Sequence, residues 1–141
     1  MQSLPEDRRA IVTSCSRALC LARLESAGFP VPATVVTMDD TPRGKPFPEP
    51  FLAAAARLGA DPRRCVVVED APTGLEAGRA AGCLTIGVVG TYTADQLDAD
   101  LVVPSLKRLR IRVLNTASCS SCSPSSPGVG MVGTAPTRVQ K

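Results

Sequence analysis

The apolar run Cys65-Val66-Val67-Val68 ends in two carboxylates, Glu69 and Asp70, and passes directly into Ala71-Pro72-Thr73-Gly74. A strand with no polar alternation is covered on both faces, which is the pattern of an interior strand in a parallel sheet. The two acids therefore fall at the carboxyl end of such a strand, where α/β sheets bind their ligands. Upstream, Gly44-Lys45-Pro46-Phe47-Pro48-Glu49-Pro50 sets one lysine in a Gly/Pro turn just before a helix, a rigid mount for a cation. A lysine and paired carboxylates together point to phosphate handled with Mg²⁺, a hard cation that takes oxygen ligands.

The surrounding chain reads as a string of βα units. Ala10 to Ser14 is a strand, followed by a helix from Ser16 to Ala27 with a stop at Gly28. Val35 to Met38 is a second short strand. Glu49 to Leu58 is a helix that carries prolines in its first turn and alanines in its middle, ended by Gly59. After the strand Cys65 to Val68 come a helix from Thr73 to Ala81, closed by Gly82, and a strand from Leu84 to Val89. The stretch Asp95 to Leu106 holds a helical turn around Gln96 and Leu97 and an edge strand at Leu101-Val102-Val103. Such alternation predicts a parallel sheet with helices on its faces.

These residues resemble the haloacid dehalogenase superfamily of phosphatases and phosphotransferases over roughly Arg9 to Arg112. The family carries four short motifs. Ile11-Val12-Thr13-Ser14 resembles the second, Lys45 the third and Glu69-Asp70 the fourth. The first, an Asp-x-Asp pair that supplies the family's nucleophile and general acid/base, is missing; Asp39-Asp40 lies after the second motif, in the wrong order. The resemblance implies a three-layer Rossmann-like sheet, here incomplete. It implies Thr13, Ser14 and Lys45 as catalytic, phosphate-binding residues, and Asp70 with Glu69 as Mg²⁺ ligands. No nucleophile is expected in this chain. The wording Ile-Val-Thr-Ser, Gly-Lys-Pro-x-Pro-Glu-Pro and Glu-Asp-Ala-Pro-x-Gly is similar to phosphatases of sugar and polyol phosphates, and β-phosphoglucomutases share much of it.

Three functional readings follow. One is a Mg²⁺-dependent phosphatase of small phosphate esters at family level, with this chain inactive alone for want of the Asp. The second is a non-catalytic product that binds phosphate or a partner, and the third is a phosphosugar mutase. In the family the nucleophile strand lies between the strand bearing Thr13 and the one bearing Asp70. Its loss would expose two inner sheet edges, which pair with other chains, so a partner chain or self-association through those edges is expected.

Other residues have plainer uses. Thr13 and Ser14 could cap the following helix, and Thr73 the helix that begins there. Asp39-Asp40 reads as a turn of helix-capping or solvated acids, and Arg43 as a surface charge. Cys15, Cys20, Cys65 and Cys83 sit in or beside predicted elements, where a free cysteine behaves as a small buried hydrophobe. Cys119 and Cys122 form a CxxC, but without a second pair or any histidine a zinc site lacks ligands.

Composition bounds the rest. With one Tyr, three Phe and no Trp, the core is aliphatic. The formal net charge of +3 is uneven: no acid follows Asp100, and the first hundred residues carry ten bases against thirteen acids. Nothing there suggests nucleic acid. The charged Glu6-Asp7-Arg8-Arg9 and the absence of a long apolar run argue against a secretory leader or a membrane span, so a cytoplasmic protein is expected. Domain organisation is read as a partial core, 1–112, and a tail, 113–141. That tail has six Ser, three Pro and three Gly and no hydrophobic period, and disorder is the expectation.

Overall fold

The computed structural model describes residues 4–111 and the strand at 129–134. The expected alternation is present as β1 (Arg9–Thr13), α1 (Arg17–Ser26), β2 (Val35–Val36), α2 (Glu49–Arg57), β3 (Cys65–Glu69), α3 (Pro72–Ala80), β4 (Leu84–Val88), β5 (Leu101–Val103) and β6 (Val129–Thr134). The six strands form one parallel sheet in the order β2-β1-β6-β3-β4-β5. Where two helices end, Gly59 and Gly82 adopt the left-handed φ values of 62° and 82° that residues with a Cβ avoid.

The period-two geometry of the strands sorts their side chains into two layers. Ala10, Val12, Val36, Cys65 and Val67 meet Phe51, Ala54 and Ala55 of α2 and Ala77 of α3 on one face. Ile11 and Val35 meet Cys20 and Leu24 of α1 on the other, beside Cys15. On that second face Val68 and Ile86 are covered by Val103, Leu109 and Ile111. This is the three-layer α/β arrangement, with a core that is aliphatic, as the composition leads one to expect, except for the fully buried ring of Phe51. Cys15, Cys20, Cys65 and Cys83 are buried and free, as expected; Cys119 and Cys122 lie outside the described residues. Among the described residues no helix is long and apolar enough to cross a membrane.

The expectation of disorder over 113–141 does not hold for Val129–Thr134. This segment is β6, paired in parallel with β1 (Arg9↔Gly130 to Thr13↔Thr134) and with β3 (Cys65↔Val129 to Val68↔Val132). The inner edges of β1 and β3 are thus not exposed: the chain fills the gap with its own carboxyl-terminal segment. The rest of 113–141 lies outside the described residues.

Asp40 is not a solvated acid. Its side chain, 13% exposed, accepts hydrogen bonds from the Thr37 amide and hydroxyl, both at 2.7 Å, and pairs with Arg17 of α1 and Arg57 of α2, both at 2.8 Å. Both arginines also donate to the Val35 carbonyl, so one carboxylate ties α1 and α2 to the end of β2. Its neighbour Asp39 does serve as a cap, accepting from the Arg17 amide at 2.7 Å. Arg57 holds the Asp40 carboxyl far below the usual carboxylate range, opposed by burial and helped by Thr37 and Arg17. A depressed acid binds fewer protons folded than unfolded, so its stabilisation is complete above the unfolded pKa near ~4 and is lost as pH falls further. Asp40→Ala is expected to cost about 2–3 kcal/mol at neutral pH by removing charge-assisted hydrogen bonds. Urea denaturation of both proteins should show that difference shrinking steadily below pH ~4.

Candidate functional site

The second, third and fourth sequence segments converge at the carboxyl ends of β1 and β3. Lys45 comes from the turn before α2, where Gly44 precedes it and the Lys45–Pro46 peptide is cis. Its ammonium donates to the Val12 carbonyl at 3.2 Å and forms an ion pair with Glu69. The Phe51 ring lies 5.2 Å from the same nitrogen. The two paired side chains are 5% and 0% exposed, so this is a buried ion pair that bridges the ends of two strands.

Both oxygens of Glu69 are engaged. Oε1 faces Lys45 and Oε2 accepts the Asp70 amide at 3.2 Å. Burial pushes the Glu69 carboxyl up, and the Lys45 ammonium pulls it back down. The space for this carboxylate exists because residue 74, in the first turn of α3, is glycine: a Cβ there would lie 2.5 Å from each Glu69 oxygen. Asp70 follows at the sheet's carboxyl edge and is half-buried.

Thr13 ends β1 and is buried. Its hydroxyl accepts the Cys15 amide at 3.3 Å and lies 3.2 Å from the Cys15 sulfur, so it shapes the turn that leaves the strand. Ser14, next along, is exposed. Neither caps α1; Ser16 does, accepting from the Leu19 amide at 3.4 Å. Thr73 likewise does not cap α3, whose cap position is Ala71. Arg43 is exposed but not a plain surface charge, because it pairs with Glu49 and stacks over the Phe47 ring at 4.5 Å.

The structure thus brings together Lys45, Glu69 and the Asp70 amide, with Thr13 one residue from the Val12 carbonyl that Lys45 grips. Three participants were not singled out from the sequence as members of a site: the Val12 carbonyl, Gly74 as the seat of Glu69, and the central strand position beside Thr13. By register that position is Thr134. The first two leave no side-chain signal, and the third lies far away along the chain.

A Mg²⁺ ion would find only part of a ligand set here. Among the described residues no group of three or more His, Cys, Asp or Glu side chains is placed to hold a metal. Glu69 is committed to Lys45 and the amide, so Asp70 is the carboxylate this cluster could present. One carboxylate completed by phosphate oxygens and water is a set that Mg²⁺ accepts.

A family model described as haloacid dehalogenase-like hydrolase matches residues 3–82. Hexitol phosphatase A of Escherichia coli (strain K12) is 45% identical over 72% of this chain and 48% of its own length. Glycerol-1-phosphate phosphohydrolase 2 of Saccharomyces cerevisiae is 36% identical over 79% of this chain and 48% of its own. Among solved structures, CbbY from Rhodobacter sphaeroides in complex with xylulose-(1,5)bisphosphate superposes with a TM-score of 0.65 at 28% identity, covering 71% of this chain and 47% of that one. The chain spans about half the length of the curated relatives it matches.

Proposed function

Because the chain belongs to the haloacid dehalogenase-like hydrolase family, we propose that it binds small phosphate esters of the sugar and polyol class at the carboxyl ends of β1 and β3, with Mg²⁺ as cofactor. We propose equally that this polypeptide does not hydrolyse them by itself. The observation that carries the reading is the Lys45 ammonium, fixed between the Val12 carbonyl and Glu69 at the carboxyl ends of β1 and β3, the two strands that flank β6.

Charge explains the cation. The cluster sets one ammonium, Lys45, beside two carboxylates, Glu69 and Asp70, and an anionic ester would add to the negative side. Repulsion of this kind costs affinity unless a cation offsets it. Asp70 would hold a Mg²⁺ there, and the ion supplies positive charge for the phosphoryl oxygens. Thr13 and Ser14 would donate to those oxygens from the turn after β1, and Lys45 would hold Glu69 in place beside them. Relatives named for hexitol and glycerol-1-phosphate support the substrate class.

Lack of turnover follows from the centre of the sheet. Between Thr13 and the end of β3, the register position is Thr134, not an acid. The covalent route to an aspartyl-phosphate needs a carboxylate nucleophile, and that residue type is absent from this register position. Calorimetric titration with glycerol-1-phosphate should show binding that strengthens about tenfold, or about 1.4 kcal/mol, with Mg²⁺ present. Asp70→Asn should abolish that increment and leave the fold intact. A phosphate-release assay with hexitol, glycerol and 2-deoxyglucose phosphates should stay at background. No binding with or without Mg²⁺ would refute the site, whereas phosphate release dependent on Asp70 would refute the inactivity and favour a working phosphatase.

A further inference from the structure

We propose that β6 is an exchangeable element, and that the slot between β1 and β3 accepts Val129–Thr134 from a second copy of this chain to give a strand-swapped dimer. It rests only on backbone pairing and register, although β6 also carries Thr134, the position beside Thr13.

The slot is bounded by Arg9–Thr13 on one side and Cys65–Val68 on the other, and β6 pairs with both along its length. Removing it would open two inner edges at once. Buried amides and carbonyls there need partners, so only another extended strand can replace what leaves. The occupant must run parallel to both neighbours, with its first residues beside Cys65 and its last beside Thr13. A second copy carries the same segment and offers every one of these pairings unchanged, which is the condition for a swap.

Two features favour release. β6 has glycine at 130, opposite Arg9 and Val66, and again at 133, opposite Val12. Side-chain pairs across strands are what stabilise a sheet locally, and glycine contributes none. In addition, β1 keeps β2 and β3 keeps β4 as partners when β6 leaves, so opening does not require any other strand to leave. Interchain pairing, unlike intrachain pairing, needs two chains to meet. Dimer formation must accordingly rise with protein concentration.

The test uses the full chain. ¹⁵N-labelled and unlabelled protein are mixed at concentrations from micromolar to millimolar and followed by native mass spectrometry. The expected result is mixed dimers reaching their statistical share, with a dimer fraction that grows with concentration. A synthetic Val-Gly-Met-Val-Gly-Thr peptide at millimolar excess should compete for the slot and lower that fraction about tenfold. A chain that stays monomeric at every concentration overturns the proposal. So does a dimer whose abundance the peptide leaves unchanged, since it would be built on another surface such as the outer edges of β2 or β5.

Discussion

Replacing Lys45 by Met is expected to lower stability by about 3–5 kcal/mol, the cost of leaving one member of a buried ion pair without its partner. Glu69 is fully buried and its second oxygen is already committed to the Asp70 amide, so nothing near it can take over the charge. The variant should also acquire a pH dependence of definite sign. Burial raises the Glu69 carboxyl in the parent protein, with Lys45 opposing it. Without Lys45 the raised value rises further, and the folded state then binds more protons than the unfolded one. Stability must therefore fall as pH increases from the unfolded value near ~4.3 through the raised folded value. Urea denaturation at pH 5 and pH 8 should find Lys45→Met the less stable at pH 8. A second substitution, Glu69→Gln, should recover most of the loss and abolish the pH dependence, because it removes the uncompensated charge. If the single and double variants are equally unstable, Lys45 matters through packing against Phe51, and the buried pair is not what holds the site.

Gly74→Ala is expected to be nearly as damaging, at about 3 kcal/mol, near the upper end of the usual cost of overpacking. A Cβ at 74 would meet the Glu69 carboxyl carbon and both oxygens. That carboxylate cannot step aside cheaply, because Lys45 and the Asp70 amide hold it. Either α3 shifts away from the sheet or Glu69 abandons Lys45, and both disturb the end of β3. Phosphate binding should be lost together with stability. Gly78→Ala provides the comparison: its Cβ would stand 3.0–3.2 Å from Val67 and Thr85 side-chain atoms, tight but able to give. It should cost about 1 kcal/mol by the same overpacking effect and leave the phosphate site in place. Thermal melts and titration of both variants separate the two outcomes.

Much of this molecule is legible in its residues. β3 is plain because an uninterrupted apolar run ending in acids has few other uses, and α2 because prolines, alanines and Gly59 mark its start, middle and end. The meeting of Lys45 with Glu69 and the Asp70 amide follows from the same segments. Asp40 was misread for a physical reason: a pair of adjacent acids in a polar stretch looks solvated until Arg17 and Arg57 arrive from two different helices. β6 was misread because two glycines in six residues argue against a strand on local propensity. It becomes one only where two open edges stand ready on either side, a condition that no window of local sequence can report. The role of Gly74 is hidden similarly, since the side chain it makes room for is five positions back, at the end of another element.

The most direct test of the central claim is a map of backbone amide shifts in ¹⁵N-labelled protein as inorganic phosphate is added with Mg²⁺. The site proposed here predicts that the largest changes fall on Thr13, Ser14, Lys45 and Asp70, and that they weaken about tenfold in affinity when Mg²⁺ is withheld. Shifts spread over the exposed arginines with those four residues unmoved would mean that phosphate binds by diffuse surface charge, and the site at the ends of β1 and β3 would have to be given up.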